Sequence, residues 1–419
     1  MIGKKQVSLW GFIFLILGEI VAQQEVGEIT FSGLRKTKET FLRQYLTVQR
    51  GDPYDPSLIE ENRQRLTNLE MLGNVSTSIE EVGDVVTVDF QCTEVYTLLP
   101  IFNFGGVRDN FWVQVGASEA NFAGRGNKLL AYYQYYDRNS VFVSWQQDRI
   151  QGSRWGLIAN FIKWGTVEPL FFEEGTVLYD YNNDNFGFGT LYHFNFNTKL
   201  EVSTAYFLEK YKRLGDTEIS AAPEMETTRK QLGKLILYTN RLNYHFFYVS
   251  GWHNQLNAEA VYSFDGDPDF YITFDELKYF SRVGLKGNLA GRLRAGISSN
   301  DAGPFAPFVL DSYLNIRGVG NRVDRGTAMF IINGEYRHTL REGAKIAVQA
   351  VGFSDFGTWR GSGGQINDLV DPNSFEWYGG GGLRFIHKQY FNAIFRVDYA
   401  INLQMIDQNG FVIGIGQYF

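Results

Sequence analysis

The residues whose types and spacing best suit a specific chemical interaction are one arginine and two carboxylates. Arg317 stands in the segment 314–318, Leu-Asn-Ile-Arg-Gly, and Glu335 and Asp355 lie in two later segments where polar and apolar residues alternate. A carboxylate can hold a planar guanidinium through two parallel hydrogen bonds. Each carboxylate is an even number of positions from other polar residues, so that in a strand they would share one face. These residues are Asn333 and Arg337 for Glu335, and Lys345 and Gln349 for Asp355. These residue types are therefore suited to ion pairing.

No pattern of catalytic or metal-binding residues accompanies them. The segment Gly352–Phe356 comes closest to a nucleophile elbow, but it lacks the second glycine. A nucleotide site at the glycine run 379–382 is disfavoured because no helix follows to receive a phosphate. The five histidines show no metal-ligand spacing (His193, His245, His253, His338 and His387). We therefore predict a protein that is not an enzyme, with no cofactor and no metal.

Most of the chain shows the alternation of half-buried strands. In the segment 255–262, for example, Leu256, Ala258 and Tyr262 oppose Asn257 and Glu259. Aromatic residues make up 16% of the chain, with 45 glycines and only 9 prolines, which is typical of a transmembrane β-barrel with a watery interior. We predict a mainly β fold with about sixteen antiparallel strands, placed near 111–122, 127–136, 139–147, 154–166, 175–181, 186–195, 198–209, 232–248, 251–264, 273–286, 289–299, 326–339, 344–356, 377–388, 391–403 and 410–419. The long breaks 209–231, 300–325 and 357–376 should all lie at one end of the barrel.

The last residues predict where the barrel closes. Residues 411–419 alternate apolar with small or polar-edged side chains and stop on Phe419 in mid-strand. In a soluble sheet this would leave an unpaired apolar edge, whereas a closed barrel supplies a partner strand. We predict a lateral seam between the strands Phe111–Phe122 and Phe411–Phe419. It should be weak, because Gly414 and Gly416 contribute little side-chain packing.

A small α+β domain is predicted before the barrel. Its order is strand, helix, helix, strand, strand, with a tight turn at Gly83-Asp84 between the last two strands. Thr37 is placed to cap the first helix, and Asp55-Pro56 to begin the second. We place this domain at residues 24–96 and the barrel at 97–419.

The first 23 residues and the overall charge indicate an exported protein. Lys4 and Lys5 precede an apolar run, residues 7–17, that is too short to cross a bilayer, so residues 1–23 are predicted to be a signal peptide. A net charge of −7 argues against nucleic acid as a partner. Cys92 stands alone and cannot form an internal disulfide.

Four local patterns resemble one family. The strand–helix order of residues 24–96 resembles a POTRA domain, and residues 119–126 resemble the turn that opens the barrels of the BamA-like superfamily. Residues 314–318 resemble that superfamily's motif in its sixth extracellular loop, apart from Val319 where an aromatic is commonest. Residues 334–337 and 352–357 resemble its signatures on strands twelve and thirteen.

The resemblance implies several residue roles. Ile316, Arg317 and Gly318 would form a loop motif inside the barrel lumen, with Arg317 held by Asp355 and with Glu335 nearby. POTRA domains are understood to bind unfolded chains by adding a strand to an exposed sheet edge. In this topology the strand Val75–Val82 would be an edge, with Val75, Thr77 and Ile79 on it.

The resemblance also implies a function and a location. We expect a short, single-POTRA factor that assembles or translocates outer-membrane proteins, located in the outer membrane with its N-terminal domain in the periplasm. Its partners would be unfolded outer-membrane protein clients, the lipid bilayer with its lipopolysaccharide, and accessory envelope subunits. A transporter for one dedicated secreted substrate is an alternative, although such transporters usually carry two POTRA domains and a plug helix. A passive outer-membrane diffusion channel is the alternative from another class.

Overall fold

The computed structural model describes residues 24–107, 110–300, 303–312, 314–320, 325–390 and 393–419. The predicted signal peptide, residues 1–23, lies outside the described residues. An N-terminal α+β domain precedes a closed barrel of sixteen strands, each antiparallel to its neighbours. The predicted fold class is therefore confirmed.

The N-terminal domain is a three-stranded sheet with two helices. Its elements are β1 (Glu25–Ser32), α1 (Glu39–Leu42), α2 (Pro56–Thr67), β2 (Leu72–Val82) and β3 (Val85–Glu94). The strand β3 lies in the middle, parallel to β1 and antiparallel to β2. Leu42, Leu66 and Phe90 are fully buried in its core. Among the described residues, no helix is both long and apolar enough to cross a bilayer.

The two helices begin differently. The carboxylate of Asp55 accepts a hydrogen bond from the backbone N–H of Ser57 at 2.8 Å, and Pro56 occupies the first turn of α2. The prediction for Thr37 is wrong, because α1 has Lys38 at its N-cap position without a side-chain cap. Thr37 instead donates its backbone N–H to Glu94 at 2.7 Å.

Sixteen strands form the barrel wall, and each pairs with the next along the chain until the last meets the first. They are β4 (Leu98–Val107), β5 (Asn110–Phe122), β6 (Asn127–Tyr136), β7 (Arg138–Gln147), β8 (Trp155–Phe172), β9 (Gly175–His193), β10 (Thr198–Arg213), β11 (Met225–His245), β12 (Tyr248–Ser263), β13 (Phe270–Val283), β14 (Gly287–Ser298), β17 (Ala328–Glu342), β18 (Ile346–Arg360), β19 (Phe375–His387), β20 (Ile394–Asn402) and β21 (Asn409–Ile415). Two short strands, β15 (Phe308–Val309) and β16 (Arg325–Gly326), pair with each other outside the wall.

The predicted number of strands is confirmed, but one strand was missed and another was predicted as two, so the two errors cancel. The first strand of the barrel, β4, was missed because Pro100 and two glycines, Gly105 and Gly106, interrupt its alternation. Proline is tolerated there because it lacks only one ladder donor. The single strand β9 was predicted as two, since residues 182–185, Asn-Asn-Asp-Asn, have turn-forming side chains.

The two ends of the barrel differ. At the end that contacts the N-terminal domain, here called the near mouth, most connections are short turns. At the far mouth lie the longest connections, residues 214–224, 299–327 and 361–374. The predicted long breaks thus share one end, although β10, β11 and β18 extend further into them than the alternation indicated.

Candidate functional site

The long connection after β14 enters the lumen, where its residues 314–318 lie among side chains of the wall strands. Side chains of the wall strands hold its backbone, because a loop that loses water must find other partners for its polar groups. Arg292 on β14 donates to the carbonyl of Leu314 at 2.5 Å. Asn333 on β17 donates to the carbonyl of Asn315 at 2.8 Å. These two hydrogen bonds fix the backbone of the loop just before Arg317.

Arg317 is fully buried and is held by two carboxylates. Its Nε and Nη2 donate to the two oxygens of Asp355 on β18 at 2.8 and 2.9 Å, and its backbone N–H donates to the same carboxylate at 3.0 Å. Its Nη1 donates to Glu335 on β17 at 2.6 Å. The pairing that the resemblance implies is thus present in the structure, in bidentate form.

Two aromatic rings lie against the same guanidinium. The ring centroid of Phe353 is 3.6 Å from the central carbon of Arg317, and that of Tyr418 is 4.4 Å away. A desolvated cation over an aromatic face is attracted by the electrons of the ring. The rings also exclude water from the ion pair, which strengthens it.

The surrounding charges balance. We call the following six buried side chains the lumen network: Arg317, Arg337, Arg384, Glu335, Asp355 and Asp398. Arg337 donates to Glu335 at 2.5 Å, and Arg384 holds Asp398 through two hydrogen bonds of 2.6 and 3.1 Å. Three cations thus face three anions. Such a network specifies one arrangement of the loop, because removing any member leaves a buried charge without its partner.

The neighbours of Arg317 in the loop fit the wall closely. Ile316 is fully buried in an apolar cluster that includes Val351 and Tyr378. Gly318 has a φ of +88°, and a Cβ added there would lie 2.6 Å from the Cβ of Ala400. A side chain at this position would therefore be strained and would also collide with β20.

The last residues turn into the lumen and reach the same site. The chain bends at Gly416, and Arg396 on β20 donates to the carbonyls of Gly416 and Gln417 at 3.2 and 2.8 Å. The hydroxyl of Tyr418 donates to the carbonyl of Ser312 in the loop at 3.1 Å. We call residues 416–419 the tail. It joins the closing strand to the loop that carries Arg317.

The predicted seam residues need correction, because β21 pairs with β4 rather than with the strand Phe111–Phe122. Phe111 and Phe122 belong to β5, which pairs with β4 on its other side. Phe411 lies on β21, where its ring packs against that of Tyr399 on β20 at a centroid distance of 4.7 Å. Phe419 lies beyond the bend in the lumen, with its ring 5.0 Å from the guanidinium of Arg292.

The seam itself is short. Among the described residues, two pairs join β21 to β4, Val412 with Gly105 and Ile413 with Phe104, whereas ten pairs join β4 to β5. One further hydrogen bond crosses it, from the N–H of Ile415 to the side chain of Asn103 at 3.0 Å. This junction has fewer ladder hydrogen bonds than its neighbours, and separating it would cost correspondingly less.

The predicted edge of the N-terminal sheet is partly correct. The strand β2 is an edge, and Ile79 on it is 41% exposed. Val75, however, is buried in the domain core, and its carbonyl accepts a hydrogen bond from Arg63 at 2.9 Å. Within the described residues, the free part of this edge begins after Val75 and includes Thr77.

The turn between β5 and β6 binds the N-terminal domain. The buried side chain of Asn121 accepts from the N–H of Gly126 at 2.9 Å and donates to the hydroxyl of Thr37 at 2.9 Å. The carbonyl of Gly124 accepts from the N–H of Lys38 at 2.8 Å. A Cβ at Gly124 would lie 2.0 Å from the carbonyl oxygen of Lys36. The absence of a side chain at Gly124 therefore allows the backbone of this turn to contact the backbone of the N-terminal domain.

Glu94 stabilises the other side of this junction. Partial burial alone would raise the pKa of its carboxyl, but hydrogen bonds from Thr37 and from the backbone of Lys36 hold that pKa below its ordinary value. A second contact joins Glu70 on the N-terminal domain to Lys128 on β6 at 2.5 Å. The domain is therefore fixed against the near mouth at several points.

Comparisons with known proteins agree with this architecture. Residues 24–94 match the family model described as "POTRA: Surface antigen variable number repeat". The whole chain is similar in fold to a solved BamA and to two solved CdiB proteins. The chain combines a POTRA domain with a sixteen-stranded barrel that is similar in fold to these solved proteins.

The similarity of fold is greater than that of sequence. BamA from Haemophilus ducreyi, solved without POTRA domains 1–3, matches with a TM-score of 0.54 and 14% identity over 94% of this chain and 84% of that one. CdiB from Acinetobacter baumannii gives 0.58 and 14% over 94% and 74%, and CdiB from Escherichia coli gives 0.59 and 10% over 94% and 77%. At these identities the matches show a shared fold.

Proposed function

We propose that this protein assembles or translocates outer-membrane proteins, with its POTRA domain in the periplasm and its barrel opening sideways at the seam between β4 and β21. The observation that carries the proposal is the two-pair register of that seam beside strands that pair over much longer stretches. An opened seam in lipid would expose unpaired backbone groups, which is costly until another strand pairs with them. The seam can therefore template a client strand.

The POTRA domain would deliver the client. The free part of β2, from Ser76 to Val82, has backbone groups that an extended chain can pair with by strand addition. The domain stands at the near mouth beside a cavity of about 540 Å³, which α2 and the tail residue Phe419 line. The first residues of β2, Leu72 and Gly73, line the same cavity, so a client strand added along β2 would have one end near the tail. Membrane insertion and secretion share this route and differ only in where the client is released.

A passive diffusion channel is less well supported by the structure. The loop segment 314–318 and the tail lie in the lumen, and the POTRA domain contacts the near mouth. We expect low conductance from the purified protein in planar bilayers. Steady conductance like that of a porin, without any defect in other outer-membrane proteins on depletion, would favour the channel.

A reversible lock on the seam tests the proposal. Phe104 and Ile413 are paired residues across it, so cysteines there can form a disulfide in a Cys92→Ser background. The oxidised protein should fail to restore outer-membrane protein content in depleted cells, and reduction should restore it. The matched control joins Tyr133 and Val141, a paired position between β6 and β7, and should be fully active. Full activity of the oxidised seam variant would refute lateral opening.

A further inference from the structure

One lipid-facing carboxylate lies where a bilayer is least able to solvate it. Side chains of β13 alternate, with Glu276 in the lumen beside Lys278, and Asp275 on the outer wall. Tyr271 and Tyr279, 65% and 55% exposed, share that outer face on either side of Asp275. Each tyrosine is four residues away, about 13 Å along the strand. Asp275 therefore lies midway between the two aromatic girdles that mark the membrane interfaces.

The carboxylate is only half satisfied by its own chain. Asn254 on β12 donates to one oxygen of Asp275 at 2.8 Å. Within the described residues, the other oxygen has no hydrogen-bond partner. The paired neighbours are Leu256 and Ala295, and an ionised group among them has no counter-charge. Asp184 differs, because the residue paired with it on the neighbouring strand β8 is Lys163.

We propose that Asp275 and Asn254 form the centre of a docking surface for a membrane-embedded segment of a partner protein, which supplies a lysine or arginine to the carboxylate. Ionisable groups inside a membrane are costly and mark sites where a partner group meets them. The small side chains of Ala258 and Ala295 beside Asp275 leave room for that side chain to approach. The inference requires the barrel to lie in a bilayer but does not depend on the seam.

Charge also selects among the possible occupants. A second copy in the same membrane, related by a two-fold axis along the membrane normal, would bring two Asp275 carboxylates together at one depth. Like charges in a low dielectric repel strongly. Phosphate and amine groups of lipids lie at the interfaces and not at this depth. A lysine or arginine from a membrane-embedded segment of a different protein can donate a hydrogen bond to the free oxygen of Asp275 at that depth.

The first test uses the isolated protein in phosphatidylcholine vesicles, where no partner is present. Asp275→Leu should raise the urea midpoint of unfolding above that of the wild type, with Asp275→Asn between the two. The matched variant Thr273→Leu changes the same lipid-facing strand without removing a charge and should shift the midpoint little. If Asp275→Leu lowers the midpoint, the chain satisfies its own carboxylate and the proposal is wrong.

The second test looks for the partner in intact cells, with a photo-reactive residue in place of Ile297, a lipid-facing neighbour of Asp275 on β14. We expect one protein adduct that falls at least tenfold in Asp275→Leu and persists in Thr273→Leu. The adduct of Asp275→Lys should be lost and then restored by Asp in place of the partner's intramembrane Lys or Arg. An adduct unchanged by Asp275→Leu, an adduct with a second copy, no adduct, or failure of the charge exchange would each overturn the proposal.

Discussion

At the scale of single residues, Arg317 is held entirely by groups from other parts of the chain. Its guanidinium meets Asp355, Glu335 and the ring of Phe353. The two carboxylates could be placed from the sequence, because the period of two fixes which face of a strand a residue shares. The contribution of Tyr418 could not, since the bend at Gly416 takes it off the alternation of β21. The alternation of the sequence therefore predicts where a side chain lies within a strand but not beyond the end of that strand.

Removing the cation should loosen the loop severely. Arg317→Ala leaves Asp355 and Glu335 buried without their partner, a loss of about 3–5 kcal/mol for a buried pair. Arg317→Lys should recover only part of this, because an ammonium cannot donate in bidentate form. Unfolding in vesicles, followed by gel mobility, measures the change. Arg229→Ala, which breaks an exposed ion pair with Asp265, should have little effect, and equal losses for both would contradict the account.

A methyl group at position 318 should be destabilising for two reasons. Gly318→Ala places a residue with a Cβ at φ +88° and brings that Cβ against Ala400. Strain of this kind costs about 1–3 kcal/mol, and overpacking adds about as much again. Gly215→Ala is the matched control, since Gly215 has a φ of +80° but nothing within 4 Å of a Cβ. Equal unfolding midpoints for the two variants would show that the collision with β20 does not matter.

At the scale of elements, the structure departs from the sequence where a strand contains residues that usually break strands. Residues 182–185 have turn-forming side chains but continue β9, because each of them pairs with β8 on one side and with β10 on the other. Proline and glycine hid β4 in the same way. The contact between the POTRA domain and the barrel could not be predicted from the sequence either, because contacts such as that of Asn121 with Thr37 join residues 84 positions apart. The local preference of these residues for turns is outweighed where the segment must pair with neighbouring strands to close the barrel.

The docking turn should control how firmly the POTRA domain is held. Asn121→Ala removes two hydrogen bonds from a buried turn, at about 1–3 kcal/mol for each group left unpaired. Hydrogen exchange should then rise both in residues 118–128 and in residues 36–39. Asp371→Ala removes a local turn hydrogen bond at the far mouth, from the N–H of Asn373, and should leave the POTRA domain protected. Unchanged protection in Asn121→Ala would mean that the other contacts suffice.

The tail should couple the seam to the loop. Tyr418→Ala removes the ring over Arg317 and the hydrogen bond to Ser312, so exchange should accelerate in both β21 and residues 308–320. Tyr418→Phe keeps the ring and should affect the loop less. If β21 alone responds to Tyr418→Ala, the two elements are independent and the tail is only an end of the strand.

At the scale of the whole molecule, the barrel is strongest far from its closure. Strands β9 and β11 have 19 and 21 residues, while β20 and β21, which lead to the seam, have nine and seven. The lumen network lies on the inner side of β17 to β20, and the tail continues from β21 into the lumen. The POTRA domain adds a second pairing edge at the near mouth. Among the described residues, the wall junction with the fewest pairs thus lies beside the fixed loop inside the barrel.

The most direct test of this account asks where a client strand lies during assembly. Single cysteines at Phe104 or Ile413, in a Cys92→Ser background, would be tested for disulfides with cysteines placed along the edge strand of a stalled outer-membrane client. Lateral templating predicts cross-links from both positions at every second client residue, and none from a cysteine at Val397, whose strand β20 is paired on both sides. Cross-links from Val397 equal to those from Ile413, or cross-links confined to lumen positions, would contradict it.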